Sequence, residues 1–323
     1  MADFDLFNGD ADGIFSLLQL RQVEPRPDAE YITGVKREIA LFPRIAGRAG
    51  KGDRVVALDI SMAKNTAGLT QVLKDGAEVF YVDHHATGTI PESDHLTVIT
   101  DDAKETCTAY LMDRHLNGAK ATWAVCGAYG DNFQDLADKI ATSRNLAVPM
   151  GRLRELGELV NYNAYGLSLD DLHIHPAALF EILLAYPGPV EFLEDAHPIF
   201  TTLKTGFHSD WDVAQSAREI DVSDAGDILC LPALSASNRV SGLFGNALVD
   251  EEPHKAFAVL TELGGNPSTY RVSIRAPRGR ESGSAAKLAT EFGGGGRAAA
   301  SGIDDLSDAD LPRFVDEFRK AFA

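Results

Sequence analysis

Short apolar runs alternate with segments of helical period through the first half of the chain. DFDLFNGD leads into IFSLLQLRQV, RVVALDI into an amphipathic stretch ending at VLKDG, and EVFYVD into LTVIT and ETCTAYLMDRHL. Brief apolar runs between helical segments predict a parallel sheet covered by helices. From 120 to 186 the strand signal disappears, and ATWAVCGAYG, DLADKIATSRNL, GRLRELGELVNYN and PAALFEILLAY predict a helical cap. A polar, partly helical connector follows. Beyond it, DILCLPAL, SNRVSGLFGNALV, AFAVLTEL, TYRVSIRA, SAAKLATEF and LPRFVDEFRKAF predict further strands and helices. The expected class is α/β: a mostly parallel sheet with helices on both faces, a helical cap, and a second, smaller α/β domain. The expected division is 1–190, a connector at 191–225, and 226–323.

Composition narrows the setting. The 323 residues suffice for two domains with separate cores. No apolar run approaches the ~18 residues of a membrane span, and no leader is read at Met1, so a cytoplasmic protein is expected. Cys107, Cys126 and Cys230 are odd in number, far apart and in apolar surroundings, which predicts buried free thiols. The net charge of −18 bears on partners. Long nucleic acids are held largely by lysine and arginine contacts to phosphate, so a DNA-coating surface is disfavoured. A local basic pocket for one short phosphorylated ligand is compatible with the same charge.

Acidic residues stand at comparable places: Asp10 and Asp12 in FNGDADG, Asp59 in VVALDI, Asp83 in YVDHH and Asp131 in GAYGDN. The first three segments close apolar strands, and in a parallel sheet they project into the crevice at the carboxyl ends, where such sheets bind ligands. Carboxylates crowded there repel one another, and a divalent cation relieves that repulsion. Aspartate oxygens with an imidazole nitrogen suit Mn²⁺ or Mg²⁺ and, less well, Zn²⁺. His84 is then a ligand, and His85 supports a ligand or faces substrate. Helix capping or loop placement accounts for any one of these residues alone, but not for their recurrence at strand ends.

On these residues the chain resembles the DHH phosphoesterase family with its associated C-terminal domain. That family includes RecJ-type single-strand exonucleases, oligoribonucleases, 3′-phosphoadenosine phosphatases and cyclic-dinucleotide phosphodiesterases. The likeness covers nearly the whole chain, through NGDADG, ALDIS, VDHH, GDN and, far downstream, GGGGRAAASG. It implies two Mn²⁺ ions sharing a bridging aspartate, with water between them attacking phosphorus. By position Asp59 resembles the bridging ligand, and Asp10, His84 and Asp131 the remaining ligands of one ion. Asn8 stands where relatives carry His or Asp. Its amide oxygen is a weaker, neutral ligand, so one full site and one weak site are implied. Asp12 either compensates for Asn8 or holds the turn at Gly13 and caps the following helix.

In the glycine segment Arg297 replaces the family's histidine. Consecutive glycines let backbone approach phosphate and turn amides toward it, and a helix start beyond them would add a favourable dipole. A flexible linker is the alternative for 293–296. Arg297 offers a planar, charged fork for phosphate. In TYRVSIRA, Arg271, Ser273 and Arg275 share one strand face, an arrangement like the family's substrate strand or simply a solvated face. The resemblance thus implies substrate contacts from Arg275, Gly294, Gly295, Gly296 and Arg297, with Ser273 beside them. Thr106 and Thr108 fit a helix start near the site or ordinary capping, and His173 and His175 fit a surface loop better than a metal clip.

The resulting expectation is a hydrolase: a Mn²⁺-dependent phosphoesterase, with Mg²⁺ as the other candidate ion. Asp59, His84 and His85 are its catalytic residues. Its expected substrate is a short oligonucleotide or small nucleotide, held by domains closing over something short. No long nucleic acid or membrane is expected as partner, and a homodimer is left open. One alternative is a regulatory protein that binds a phosphorylated ligand and keeps one metal. Another is a RecJ-like exonuclease, which would want a basic channel interleaved with aromatics.

Overall fold

The computed structural model describes residues 2–101, 103, 105–263, 268–279 and 284–323. The chain divides into two compact units, Met1–Thr205 and Gly206–Ala323. In the first, the order is β1 (Asp3–Phe7), α1 (Ala11–Val23), β2 (Glu30–Ile32), β3 (Arg54–Leu58), α2 (Met62–Lys74), β4 (Glu78–Asp83), β5 (Leu96–Thr100), α3 (Thr108–His115), α4 (Ala121–Gly130), α5 (Gln134–Ser143), α6 (Met150–Asn163), α7 (Pro176–Leu184) and α8 (Pro189–Glu194). The long α9 (Pro198–Gln215) carries the division between units.

The first sheet runs β2-β1-β3-β4-β5, and every pair is parallel. Parallel strands covered on both faces must be apolar nearly throughout, which is why VVAL and FYV lack strict alternation. On one face Phe4, Leu6, Val55, Ala57, Val79 and Tyr81 pack with Phe42, Leu69 and Val72. The Phe42 and Tyr81 rings stack at 5.8 Å between centroids. On the other face Asp5 meets Arg21 of α1 in a buried, two-pronged ion pair. Here Phe15 of α1 stacks on Trp123 of α4, with centroids 5.5 Å apart.

The helices of 120–186 are built around α4, which is buried along nearly its whole length. A methyl group on Gly130 would lie 2.3 Å from the Ala11 Cβ and 2.8 Å from the Gly157 carbonyl oxygen. That contact brings the end of α4 against the start of α1, and so places Asp131 beside the loop after β1. No helix among the described residues is long and apolar enough to cross a membrane.

The second unit contains β6 (Arg218–Ser223), β7 (Gly226–Leu231), α10 (Ser235–Glu251), β8 (Ala256–Glu262), β9 (Thr269–Arg275), α11 (Ser284–Glu291), β10 (Gly295–Gly296), β11 (Ala300–Ser307) and α12 (Leu311–Phe322). Its sheet runs β10-β11-β9-β8-β7-β6 and is antiparallel except for β7 with β8, which α10 connects. In β9, Tyr270, Val272 and Ile274 enter the core while Arg271, Ser273 and Arg275 take the other face. Phe314, Phe318 and Phe322, one turn apart on α12, close that core. The stretch 191–225 is ordered as helix and strand, and β6 within it is the edge strand of the second sheet. All three cysteines are buried free thiols.

Candidate metal centre

The loops after β1, β2, β3 and β4 all leave the same edge of the parallel sheet, and each delivers a polar side chain. Asp10 is the N-cap of α1, its Oδ1 accepting from the Gly13 amide at 3.1 Å. Gly13 tolerates no side chain, because a Cβ there would lie 2.2 Å from the Asn8 carbonyl oxygen. Asp12, two residues on, turns to a different partner. Its Oδ2 and Oδ1 accept the Thr108 and Ala109 amides at 2.7 Å each, closing the N-terminus of α3.

Asp59 follows β3 with φ of 58°, a left-handed conformation uncommon outside glycine, asparagine and aspartate. Its amide donates to the Val82 carbonyl at 3.1 Å, and the Asn8 amide donates to Leu58 at 3.2 Å, so backbone ties on both sides fix the bend. The Thr108 hydroxyl donates to Asp59 Oδ1 at 3.1 Å. Asp131, the C-cap of α4, arrives from the helical layer, where the negative end of the helix dipole favours a cation.

His84 Nδ1 lies 2.8 Å from the Thr106 carbonyl oxygen. That carbonyl can only accept, so Nδ1 carries a proton and, in the neutral imidazole, Nε2 presents a lone pair. Nε2 stands 3.4 Å from Asp59 Oδ1, 3.6 Å from Asp131 Oδ2 and 3.8 Å from Asp12 Oδ2. Two donors each bound at ~2.1 Å to one ion lie roughly 3.0–3.4 Å apart in octahedral or tetrahedral geometry. The separations therefore suit ligands around a shared cation better than direct hydrogen bonds. Among the described residues, two sets of ligand atoms lie within 4.8 Å of one another, Asp12 with His84 and Asp131, and Asp59 with His84 and His85. Carboxylate oxygens with one or two imidazole nitrogens fit a divalent cation.

Electrostatics point the same way. Burial, then repulsion from Asp131 and Asp10, pushes the Asp12 carboxyl up to about 6, with His84 opposing. Burial and the surrounding carboxylates raise Asp59 well above the ordinary range. Asp10 differs. Burial works against its charge, but the Lys36 ammonium beside it holds its carboxyl below the usual value. His85 Nδ1 is 2.8 Å from Asp83 Oδ1, and although burial opposes the charge, that hydrogen bond raises the imidazole's pKa. Asn8 Oδ1 and Asp83 Oδ2 are buried with no hydrogen-bond partner among the described residues.

No family model matches the chain, and no curated protein matches it. Solved structures do. The DHH domain of a member of a family of ribosomal proteins has a TM-score of 0.64 at 12% identity, over 99% of this chain and 86% of that one. RecJ from Thermus thermophilus in complex with Mn²⁺ has a TM-score of 0.63 at 16% identity over 99% of this chain, which spans only 51% of that RecJ. The pGpG-specific phosphodiesterase PggH from Vibrio cholerae has a TM-score of 0.56 at 14% identity, over 100% of this chain and 99% of that one. The chain has the DHH fold.

Within the DHH fold, the structure brings together Asn8, Asp10, Asp12, Asp59, Asp83, His84, His85 and Asp131, and it turns the two acids of the first motif to different partners. Asp10, expected beside His84 and Asp131, caps α1 and faces Lys36; Asp12, read as either a ligand compensating for Asn8 or a helix cap, is the carboxylate beside His84. Lys36 was missed. It comes from the loop after the three-residue β2, too short for a periodic signal, and its Nζ also reaches Asp131 Oδ1 at 3.4 Å and Asn161 Oδ1 at 3.0 Å. Asn161, in a segment read only as helix, was missed too. Thr106 and Thr108 both serve the site, through a carbonyl and through an amide and hydroxyl. His173 bonds the Tyr162 hydroxyl, and His175 caps α7.

The glycine segment differs from expectation. The Gly293 amide donates to Thr290 and the Gly294 amide to Ala289, a Schellman stop for α11. Gly295 and Gly296 pair with Gly302 and Ser301, and the Arg297 amide donates to Ala300 at 2.8 Å across a tight turn. A strand, not a helix, follows, so the segment sits at the C-terminal end of α11 and not at a helix start, and the amides of Gly293, Gly294 and Arg297 are already used by backbone. Arg297 is exposed. Arg275 is engaged with the Asn246 side chain, the Gly242 carbonyl and Ser273 Oγ, tying β9 to α10.

Proposed function

We propose that the chain is a metal-dependent phosphoesterase that hydrolyses a short oligonucleotide or a small nucleotide ester. The observation that carries this reading is His84: its proton is committed to Thr106, and its free nitrogen faces carboxylates from three separate elements. Asp12, Asp59, His84 and Asp131 would hold the cation. A divalent ion bound there supplies Lewis-acid stabilisation of a phosphoryl oxygen and acidifies water at neutral pH. Thr108 and the α3 amides fix Asp59 and Asp12, so the donors need no reorganisation when charge builds on the ester. His85 is 37% exposed against 14% for His84, so it is the imidazole placed to meet substrate. With Asp83 favouring its protonated form, His85 holds a proton for a phosphoryl or leaving oxygen.

The net charge of −18 supports a small or short substrate over a long strand. Mn²⁺ is the proposed ion. The test is a hydrolysis panel of dinucleotides, adenosine bisphosphate, cyclic dinucleotides, a chromogenic phosphodiester and long single-stranded DNA, with Mn²⁺ or with chelator. Turnover of a short member that needs metal and disappears in His84→Ala is expected. Tight binding of one member with turnover of none would favour the regulatory protein instead.

A further inference from the structure

Lys36 is seated like an ion. Its Nζ takes oxygens from three separate elements: Asp10 Oδ2 at the start of α1, Asp131 Oδ1 at the end of α4, and Asn161 Oδ1 on α6. It also stands 5.8 Å from the centre of the Tyr165 ring. The backbone beneath it is pinned at both ends, since the Lys36 amide donates to the Ala164 carbonyl at 2.9 Å and Asn8 Nδ2 donates to the Lys36 carbonyl at 3.3 Å.

Asp131 links this seat to the candidate metal position. One of its oxygens faces Lys36, and the other faces His84 Nε2. Asp10 also lies near enough to Asp59 for its charge to raise the Asp59 carboxyl. Two positions for positive charge therefore lie side by side, bridged by the Asp131 carboxylate. The first is lined by Asp12, Asp59, His84 and Asp131. The second is lined by Asp10, Asp131 and Asn161, and a lysine ammonium occupies it.

We propose that Lys36 serves as the second cation of this centre, so that the site binds a single divalent ion and the ammonium supplies the adjacent positive charge. Asn8 then acts through its amide nitrogen, holding the Lys36 loop, and not as a ligand. A second divalent ion would have to share Asp10 with a like charge already in contact with it. The ammonium cannot acidify water as an ion does, so Lys36 is a positioning residue that neutralises Asp10 and orients Asp131. This inference rests on the phosphoesterase reading only for the identity of the first site.

The test is the amount of Mn²⁺ retained per chain after removal of free metal, together with the electron paramagnetic resonance spectrum of the bound ion. The wild type is expected to hold one ion with an uncoupled, mononuclear hyperfine pattern. Lys36→Ala, which vacates the seat beside Asp10, is expected to hold two ions showing exchange coupling, and Lys36→Arg, which keeps the charge, one. Two coupled ions in the wild type, with Asn8 Oδ1 as a ligand, would overturn this inference and leave the phosphoesterase reading standing. A wild type that holds none would overturn both. If Lys36→Ala folds and still holds one ion, the seat is not a cation position and the inference fails. The wild-type spectrum decides the case even where that variant does not fold.

Discussion

The carbonyl oxygen of Thr106 lies 2.8 Å from Nδ1 of His84 and thereby fixes which nitrogen of that imidazole is free to coordinate. The backbone just before α3 thus sets the chemistry of a side chain just after β4. His84→Ala should abolish the rise in melting temperature that Mn²⁺ confers. Because even an outer partner of a ligand is worth ~10–100-fold in metal affinity, loss of the imidazole should cost at least that much by calorimetry.

Asp12 and Asp10 should separate cleanly. Asp12→Ala removes a candidate ligand and leaves the buried Thr108 and Ala109 amides without their acceptor, so metal affinity should collapse and stability should fall by about 1–3 kcal/mol. Asp10→Asn keeps a capping oxygen on α1 and should leave affinity for the first ion much closer to wild type. Metal titrations and denaturant melts of the two variants check both halves. The reverse order would restore Asp10 as the partner of His84.

The effect of metal on stability should grow with pH. Asp12 at about 6 and Asp59 well above the carboxylate range bind protons in the metal-free fold that the unfolded chain, titrating from 3.8, has already released. The native state then carries more protons, so these groups lose stabilising effect as pH rises from about 4 through 6 and beyond. A cation replaces those protons. The Mn²⁺-dependent shift in melting temperature should therefore be small near pH 5 and large near pH 7.5. A shift independent of pH would count against coordination by these carboxylates.

Gly130→Ala places a methyl group 2.3 Å from the Ala11 Cβ and 2.8 Å from the Gly157 carbonyl oxygen. Overpacking of this kind costs about 1–3 kcal/mol, and the strain falls on the joint that aims Asp131. Melting curves should show that loss together with weaker Mn²⁺ binding, whereas a purely local strain would move only the first.

Much of this fold was legible because apolar runs and helical periods alternate cleanly, and Asp59, His84 and Asp131 stood out where those runs stop. The choice between Asp10 and Asp12 was not legible. Both lie at a strand-to-helix turn and both are buried, but a helix rotates ~200° over two residues, so only the packing of α3 decides which carboxylate faces His84. Lys36 was invisible because β2 has three residues and no period. The segment AAASG favours helix by propensity. Its continuation pairs with β9 and buries Ile303 and Leu306, and that tertiary gain makes it a strand.

The most direct test is a crystal structure of the Mn²⁺-loaded protein with anomalous scattering recorded at the manganese edge. An anomalous peak within coordination distance of Asp12, Asp59, Asp131 and Nε2 of His84 is the expected result. A loaded protein whose manganese lies elsewhere, with His84 Nε2 facing no ion, would contradict it.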